Sequence, residues 1–531
     1  MEKPEYVTAF IRPKNTEIKN IGNNWYLYER SSKYDPEKKR SRKISGKLLG
    51  KITANGLQKT ERRLARVASA VSKAILSDTV DVGSALYFYK HTGEIRDRLK
   101  KYFPSLWGKI YTIALLRTIY GPRFKRLQMH FEGNFISYVY PDLSFSPDEN
   151  RDLLIELGKQ RSAISSFMKE DVNAHEAFIL FDGHRLITSS QNMPFAELGY
   201  DSKRRFMPQI NLIYIYSLGE STGSPVYYKQ YIGSTPDVVA FSDIVKECRV
   251  GKNNITVIAD KGFASESDFS LLEDNDLKYV IPLKRGNQYV KDKIPAAPKD
   301  YQEGFTYQQR AISSTCFKEG DFNIFLYFDS KLYAEEAADA SMRNDKSNNS
   351  KEKSIEAENK RRAKGKGRLT DEDLKKLQPV KMTDFYRDHP EMGTITIKTN
   401  RLDMNSAQIY HMYKQRQAIE QFFKTYDDTL EFESSYMRNQ VSEEAWLFLN
   451  HLSAMIGIKC VMNIALLDES KNISFRDITD TIRKITASKI NGEWQIAPMK
   501  KATQSLVEKL GFEVTMEDMI KLLATKPVSA N

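Results

Sequence analysis

Two apolar runs of the sequence each end in an aspartate. Residues 177–181 precede Asp182-Gly, and residues 255–259 precede Asp260-Lys-Gly. Both runs predict β-strands, so we expect each carboxylate at the carboxyl end of a strand. In an α/β sheet the loops from that edge converge on a crevice in which ligands gather. An Asp before Gly is by itself more often a turn or capping residue than a catalytic one, so the combination matters more than either acid.

A third acid lies in a stretch that predicts an amphipathic helix. Four polar residues spaced by 3, 4 and 4 positions share one helical face. These residues are Tyr413, Arg416, Glu420 and Lys424. The neighbouring face is apolar and predicts packing on the sheet, which puts Glu420 at the boundary between core and cleft. The alternative is a solvated face whose ion pairs each contribute only a few tenths of a kcal/mol.

Three carboxylates in one pocket would suit Mg²⁺, a hard cation that keeps several waters and is held by few carboxylates plus substrate phosphate. Two such ions about 3.5–4 Å apart can activate the attacking oxygen and stabilise the leaving oxygen of an in-line displacement. We expect Asp182 to bridge the two metals and Asp260 and Glu420 each to complete one site. Arg416 and Lys424 would bind the flanking phosphates, and the tyrosine of the same face would donate to a phosphate or order a carboxylate.

The composition of the chain favours a polyanionic partner. Its 531 residues contain 81 Lys and Arg against 69 Asp and Glu, which gives a net charge of +12 and a pI near 9.1. Such an excess is typical of proteins that bind nucleic acid, although many basic proteins bind none. The length is sufficient for roughly two to four domains.

Cysteine usage and hydropathy predict a cytoplasmic protein. Cys248, Cys316 and Cys460 are far apart and odd in number, which gives neither a disulfide framework nor a zinc-ligand spacing. The N-terminal residues lack the basic-then-apolar layout of a signal peptide. The most apolar late segment, residues 446–467, is interrupted by Asn, His and Lys, so it predicts a core helix and no membrane span.

Changes of pattern along the sequence predict six regions. Residues 1–60 carry 14 Lys or Arg against 6 Asp or Glu, with aromatic and aliphatic runs around a polar turn. This predicts either a DNA-contacting hairpin or a merely solvated one. Strand-like runs alternate with helical ones between residues 175 and 285, as in an α/β sheet domain. The regions are a basic β-hairpin module (1–56), a helical DNA-binding or dimerisation region (57–170), the first part of a catalytic core (171–285), an insertion domain (286–392), the second part of the core with the Glu420 helix (393–465) and a helical C-terminal region (466–531).

The predicted insertion contains a strongly charged stretch. Residues 346–376 are rich in Lys, Arg, Glu and Asn and include Lys-Gly-Lys-Gly-Arg368. Because large apolar residues are few, the stretch predicts either an exposed pair of charged helices or a flexible segment. Its glycines favour flexibility at the centre.

The residues of the predicted helix also fit a family signature. The chain resembles the DDE transposases of bacterial insertion sequences, in the branch whose glutamate lies in a Tyr-x2-Arg-x3-Glu-x6-Lys pattern. Tyr413, Arg416 and Glu420 occupy the first three positions of this pattern. Asp427 stands at the final Lys position, and Lys424, one turn after the glutamate, would place a cation on nearly the same face.

Two further blocks carry the resemblance. Residues 255–263 are similar to the block around the second aspartate of the family, and residues 279–287 to the strand that follows it. In the latter block the resemblance implies that Lys284 and Arg285 bind DNA phosphates. Asp182 fits the strand that carries the first aspartate.

The resemblance implies a fold and an activity. It implies a ribonuclease-H-like catalytic core, interrupted before the glutamate by an insertion domain, with a small β-type N-terminal module and helical flanking regions. It also implies cleavage at element ends and joining to target DNA, with two Mg²⁺ ions for which Mn²⁺ can substitute, by a homodimer or higher homo-oligomer on double-stranded DNA. Two alternatives stay open, namely a nuclease on the same core and a transposase-derived DNA-binding protein without catalysis.

Overall fold

The computed structural model of the protein describes most of the chain. The described residues are 3–35, 39–58, 76–121, 123–174, 178–200, 205–218, 223–248, 255–285, 292–295, 298–416, 434–465 and 474–525. They form a mixed α/β structure with several sheets and many helices, which confirms the predicted α/β class. By its internal contacts the chain divides into two compact units, Met1–Thr79 with Ala487–Ile496 and Val80–Thr486 with Ala497–Asn531.

An antiparallel sheet forms much of the smaller unit. Its strands, in the order β1-β2-β3-β4, are Thr16–Ile21, Asn24–Asp35, Arg40–Thr53 and Gly56–Gln58. Trp25 of β2 lies opposite Ile52 of β3, and both belong to a buried cluster with Leu27 and with Val7 of a short helix, α1 (Glu5–Thr8). This apolar cluster stabilises the sheet, while the first half of β3 is exposed.

Helices dominate the stretch that precedes the main sheet. They are α2 (Gly83–His91), α3 (Gly93–Tyr102), α4 (Trp107–Tyr120), α5 (Leu127–Glu132), α6 (Ile136–Val139), α7 (Pro147–Gly158) and α8 (Arg161–Ala174). α7 begins where Ser146 and Glu149 form a capping box around Pro147 at the first helical position. A strand, β5 (Leu76–Asp81), precedes α2 and was not predicted. Residues 59–75, at the start of the predicted helical region, lie outside the described residues.

A mixed sheet forms the core of the larger unit. The strands in the first part of this sheet are β6 (Phe178–Thr188), β7 (Glu197–Tyr200), β8 (Phe206–Leu218), β9 (Gly223–Tyr231), β10 (Thr256–Ile258) and β11 (Lys278–Pro282). Along the chain, the helix α9 (Asp237–Cys248) follows β9 and the helix α10 (Glu266–Asp274) follows β10. The central strands follow the order β9-β8-β6-β10-β11; β10 is parallel to β6 and β11, whereas β8 is antiparallel to β6 and β9. Ile179, Val257 and Val280 of the parallel strands are fully buried, as expected of strands covered on both faces.

Asp182 lies inside a strand, so the prediction that it closes a strand is wrong. β6 continues beyond it to Thr188. The apolar run stops at Phe181, but backbone pairing with β8 continues from Asp182 opposite Tyr214 to Ile187 opposite Gln209. A strand boundary read from side-chain polarity fails at this point because the long antiparallel neighbour, and not the local polarity, sets the length of the strand.

The segment between β11 and the next core strand extends the same sheet. We call residues 286–392 the intervening segment. Its strands are β12 (Glu303–Tyr307), β13 (Arg310–Glu319) and β14 (Phe322–Asp329), and the strand that follows the segment is β15 (Thr394–Thr399). β15 pairs antiparallel with β14 on one side and with β11 on the other. The first part of the intervening segment is therefore continuous with the core sheet.

The second part of the intervening segment is a helical hairpin. We give this name to α11 (Ser330–Arg362), α12 (Asp371–Lys376), α13 (Met382–Asp388) and the turns between them. Asn348 of α11 donates to the carbonyl of Val380 (3.0 Å) and accepts from its N–H (2.9 Å). In the turn after α11, the carboxylate of Glu358 accepts from the backbone N–H groups of Arg368 and Leu369. Of the two predicted alternatives, the structure has the charged helix pair, with a hydrogen-bonded turn after α11.

A short helix, a short strand and a long helix follow β15 in the larger unit. α14 occupies residues 406–416, and after residue 433 the short strand β16 (Ser434–Ser435) pairs in parallel with the end of β6. The long helix α15 (Gln440–Ala465) then packs against α4 and α7. Over the described parts of the chain, no helix combines the length and the apolar content that a membrane crossing requires.

The C-terminal region combines helices with a hairpin. Its elements are α16 (Phe475–Ile482), β17 (Thr486–Ile490), β18 (Glu493–Ile496), α17 (Lys501–Lys509) and α18 (Met516–Ala524). Asn491 and Gly492 join β17 to β18 with positive φ angles of 54° and 88°. An Asn-Gly pair supports such a two-residue turn because both residues adopt positive φ readily.

Candidate active site

Parallel pairing joins the strand that contains Asp182 to the strand that Asp260 follows. β10 pairs with β6 in a register that sets Ile258 opposite Leu180. The pairing ends there, two residues before Asp260, whereas Asp182 lies two residues after Leu180 within β6. The backbone of Asp260 is still extended, with φ −76° and ψ 164°. A register that continued for two more residues would place Asp260 beside Asp182, since neighbouring strands lie about 4.8 Å apart.

Two donors hold the carboxylate of Asp260. Its Oδ1 accepts a hydrogen bond from the backbone N–H of Lys261 (2.7 Å) and one from the guanidinium of Arg416 (2.8 Å). The first bond caps a short 3-10 helix, Lys261–Phe263. The second is an ion pair in which the Arg416 side chain is 14% exposed and that of Asp260 is 41% exposed. Asp260 therefore connects the end of β10 to α14 and still reaches solvent.

α14 is positioned by its buried face. Ile409, Tyr410 and Met412 are buried, as the apolar face of an amphipathic helix should be. The hydroxyl of Tyr410 donates a 2.8 Å hydrogen bond to Asp329, the last residue of β14. This contact fixes the helix on the extended sheet and leaves Tyr413 on the side of a cavity.

A cavity of about 650 Å³ lies beside Asp260. Its walls come from the ends of β10 and β11, from β15, from the start of α11 and from α14. Four predicted site residues line it, namely Asp260, Lys284, Arg285 and Tyr413. Asp182 and Arg416 are not part of this lining. Three charged residues that were not predicted complete the wall, namely Lys261, Glu336 and Lys414.

The two neighbouring cations Lys284 and Arg285 differ in their partners. Arg285 forms a 2.8 Å ion pair with Glu336 of α11 and donates a 2.9 Å hydrogen bond to the carbonyl of Thr394. Glu336 is held in addition by the N–H of Gly393 at 2.8 Å. Lys284 is exposed and has no ion pair with any residue that the structure describes. Of the two, Lys284 can bind an incoming anion without breaking an existing bond.

The remaining predicted site residues, Glu420 and Lys424, lie outside the described residues, as does Asp427. Within the described ranges, no group of three His, Cys, Asp or Glu side chains is arranged to hold a metal ion. Asp182 and Asp260 nevertheless provide two carboxylates from adjacent strands. Hard oxygen donors of this kind suit Mg²⁺ or Mn²⁺. The donor chemistry of these two residues therefore fits the predicted metal.

Lys414 is the cavity residue whose character is least expected from the sequence. Only 7% of its surface is exposed. It follows Tyr410 by one helical turn, so the two lie on the same stripe of α14. A lysine in the buried stripe of a helix is unusual, because Lys is rarely buried unless it is paired. That position in the periodicity is the signal from which sequence reasoning could have singled it out.

Comparison with known proteins assigns the family. A family model described as a transposase DDE domain matches residues 174–456, which is more than half of the chain. The chain belongs to this family, which confirms the resemblance to DDE transposases noted from the sequence. The matched span begins just before β6 and ends within α15, so it contains both aspartates, the intervening segment and α14. A search of curated proteins finds no match.

Proposed function

We propose that the protein is an active DNA transposase. It would bind the ends of its element in double-stranded DNA, cleave DNA there and join the cut end to target DNA. The observation that supports the proposal is the parallel pairing of β10, which Asp260 follows, with β6, which contains Asp182, within the span matched by the family. Glu420 would supply the third carboxylate, as its spacing from Tyr413 and Arg416 implies.

The strand order supports a ribonuclease-H-like core. In the sequence β9-β8-β6-β10-β11, β8 alone runs against the other four strands, since β9 and β6 are both antiparallel to it. The intervening segment would then be an insertion into this core. β15 supports that assignment, because it pairs with β11 and leads directly towards α14.

The carboxylates would hold two divalent cations. Asp182 and Asp260, together with Glu420, would supply the oxygen ligands for Mg²⁺, with Mn²⁺ as a substitute. When bound, the metal supplies activation of the attacking oxygen and stabilisation of the leaving oxygen of a phosphodiester. The chain itself contributes the fixed placement of its acids. The hydrogen bonds from Lys261 and Arg416 hold one oxygen of Asp260 and so restrict the rotamers of its carboxylate.

Cations and hydrogen-bond donors around the acids would bind the DNA backbone. Lys284 lines the cavity as an exposed point charge, and Tyr413 lines it from α14, where its hydroxyl would donate to a phosphate oxygen. Lys424 would add a second point charge if it lies one turn beyond Glu420. On DNA the protein would assemble as a homodimer or a higher homo-oligomer, which light scattering of the complex would measure.

Substitution of Asp260 tests the assignment. Asp260→Asn keeps the shape of the side chain but removes its charge, so the cleavage rate at element ends should fall by about 10²–10³-fold or more. Binding to the same DNA in the presence of EDTA should change little, because Asp260 faces metal and not phosphate. A suitable control is Asp274→Asn, which neutralises an exposed acid at the end of α10. Unchanged cleavage by the Asp260 variant would reject the site.

A strand-transfer assay separates transposition from the two alternatives. Pre-cleaved ends are mixed with target DNA, Mg²⁺ and protein, and joined products are measured. A transposase produces joined molecules, whereas a nuclease on the same core gives only hydrolysed ones. A DNA-binding protein without catalysis gives neither product while retaining end binding. Either of the last two results would contradict the proposal.

A further inference from the structure

The cavity beside Asp260 contains more positive than negative charge that is free to act on a ligand. Among the described residues that line it, the two carboxylates are already bound, Asp260 by Arg416 and Glu336 by Arg285. Three lysines of the lining have no ion-pair partner among the residues that the structure describes. These are Lys261, Lys284 and Lys414. An anion entering the cavity would therefore meet cations that are not yet neutralised.

One of these lysines is in an unusual environment. Lys261 and Lys284 are exposed to water, but Lys414 is 93% shielded, with 7% of its surface exposed. A buried ammonium group is costly unless a counter-charge or hydrogen-bond acceptors replace its water. Burial lowers the pKa of Lys414, as expected for a cation whose hydration is incomplete. The fold thus keeps a cation at a position where an apolar residue would be less costly.

The acid with the largest electrostatic effect on Lys414 is engaged elsewhere. Asp329 acts on Lys414 electrostatically. However, its carboxylate accepts from the guanidinium of Arg310 (3.1 Å), from the hydroxyl of Tyr410 (2.8 Å) and from the N–H of Lys331 (3.0 Å). The other contact of the Lys414 ammonium is with the ring of Tyr410, whose centroid lies 5.3 Å away. Lys414 lines the cavity, so its ammonium group can donate to an anion that enters it.

We propose that Lys414 binds a phosphate oxygen of the DNA backbone that enters the cavity beside Asp260. The identity of the ligand as DNA rests on the proposed function, whereas its anionic character rests on the charge of the lining. An ammonium group is a compact point charge that suits a phosphate oxygen. The cavity volume of about 650 Å³ lies in the range of ligand pockets, roughly 300–1,000 Å³, so a phosphate group fits with room to spare.

Lys398 offers a matched control for Lys414. It lies on β15, is also 7% exposed, and is not part of the cavity lining. Its ammonium lies 3.6 Å from Glu266 and over the ring of Phe269 at 4.0 Å. The two lysines are thus equally buried, but only Lys414 faces the cavity. Any effect of burial alone should appear at both positions.

Chemical labelling of the full chain tests accessibility and occupancy. Pyridoxal 5′-phosphate carries an anionic group and an aldehyde that forms an imine with an unprotonated lysine, and borohydride reduction makes the adduct permanent. Peptide mass spectrometry should find Lys414 modified and Lys398 unmodified. A duplex made from the DNA that flanks the reading frame should decrease Lys414 labelling about ten-fold or more, as expected for duplex concentrations well above Kd. Absence of labelling, or labelling that inorganic phosphate blocks and the duplex does not, overturns the proposal.

Substitution gives a second measurement that a structural role would not affect. Lys414→Met should weaken binding of the same duplex by about ten- to a hundred-fold, the loss expected for one charge-assisted hydrogen bond. It should also reduce the slope of log affinity against log salt concentration by about 1, because one phosphate contact is lost. Lys398→Met should leave both quantities unchanged. If Lys414→Met keeps the wild-type affinity and slope, the contact does not exist.

These binding and labelling measurements are made in EDTA, so they are independent of cleavage. If the wild-type protein fails to cleave or join DNA but Lys414 is protected and the slope changes, the proposed function fails and the phosphate contact stands. If cleavage and joining occur but Lys414 shows neither effect, the contact is wrong and the proposed function stands.

Discussion

The cavity beside Asp260 and the helical hairpin are both basic, but they hold their charge in different ways. In the hairpin turn, six of the residues 360–368 are Lys or Arg, none is acidic, and all are exposed. In the cavity, Lys414 is buried within a wall whose acids are already bound. Water and salt screen exposed charges, so an exposed cation changes the stability of the fold little and is weak evidence for a binding site. A single buried cation is more informative about a binding site than a run of exposed ones.

Two buried acids show that burial alone does not decide whether the pKa of a carboxylate is raised or lowered. Glu358 of the hairpin and Glu443 of α15 are 1% and 0% exposed. The backbone N–H groups of Leu369 and Arg368 donate to Glu358 and lower its pKa. Burial raises the pKa of Glu443 to about 7, against the hydrogen bond from Ser435. The balance between burial and the donors aimed at a carboxylate therefore determines the direction in which its pKa moves.

The largest effect is expected from a substitution where α14 of the cavity wall contacts the start of the helical hairpin. Asp329 caps the first turn of α11 and also accepts from Tyr410 of α14. Tyr410→Phe removes a buried hydrogen bond to a charged group, which is worth about 1.5–3 kcal/mol. Amide hydrogen exchange over residues 406–416 should therefore become about 10- to 100-fold faster. Exchange at the turn after α11 should be unaffected, since the backbone bonds to Glu358 remain.

Tyr386→Phe is the control for this change, because Tyr386 is 37% exposed on α13 and its hydroxyl forms no hydrogen bond among the described residues. Equal exchange rates in the two variants would show that the Tyr410 hydroxyl does not stabilise α14. Faster exchange throughout the hairpin would show that the cavity and the hairpin open together, and the contrast between them would be lost.

An intermediate effect on stability is expected from a change of pH, through the buried acid Glu443. The pKa of Glu443 in the folded protein is about 7, above the value of 4.5 for an exposed Glu. The folded state consequently binds more protons than the unfolded state between these values. The corresponding stabilisation is complete below about pH 4.5 and is lost as the pH rises to about 7. Glu443→Gln removes this dependence, so its Tm relative to wild type should increase from pH 5 to pH 8.

Glu358→Gln is the matched variant, since the pKa of Glu358 moves in the opposite direction. Its folded-state pKa lies below the ordinary value, so its stabilisation is present at neutral pH and is lost as the pH falls through that lowered pKa. The Tm difference between this variant and wild type should consequently stay constant from pH 5 to pH 8. Parallel profiles for the wild type and Glu443→Gln would contradict the raised pKa.

Local sequence patterns predicted the elements that a single apolar run defines. The run at residues 255–259 contains β10, and the block at residues 279–287 begins within β11; the positions of both strands follow from side chains buried on both faces. β13 was not predicted, because Arg310–Glu319 is mostly polar and owes its strand to pairing with β12 on one side and β14 on the other. Pairing of this kind depends on neighbours and not on local propensity.

The candidate site likewise has residues that local patterns predict and contacts that depend on the folded chain. The acid Asp260 and the helix that carries Arg416 could be predicted from local pattern and family resemblance. Their ion pair, like that of Arg285 with Glu336, joins residues that are distant in sequence, so only the folded chain brings them together. The depth of Asp182 in β6 is set by β8 in the same way.

The smallest effect is expected from the exposed cations of the hairpin turn. Lys364 and Lys366 have no ion-pair partner among the described residues, and both side chains are in water. Lys364→Gln with Lys366→Gln should therefore change the free energy of unfolding by no more than about 0.5 kcal/mol, which a Tm measurement would record as nearly no shift. Lys414→Met should instead keep or raise the Tm, because it removes a buried charge that lacks a bound anion. A clear loss of stability in the double variant would contradict the expectation that exposed cations contribute little to stability. A clear loss in Lys414→Met would contradict the expectation that a buried cation without a bound anion lowers stability.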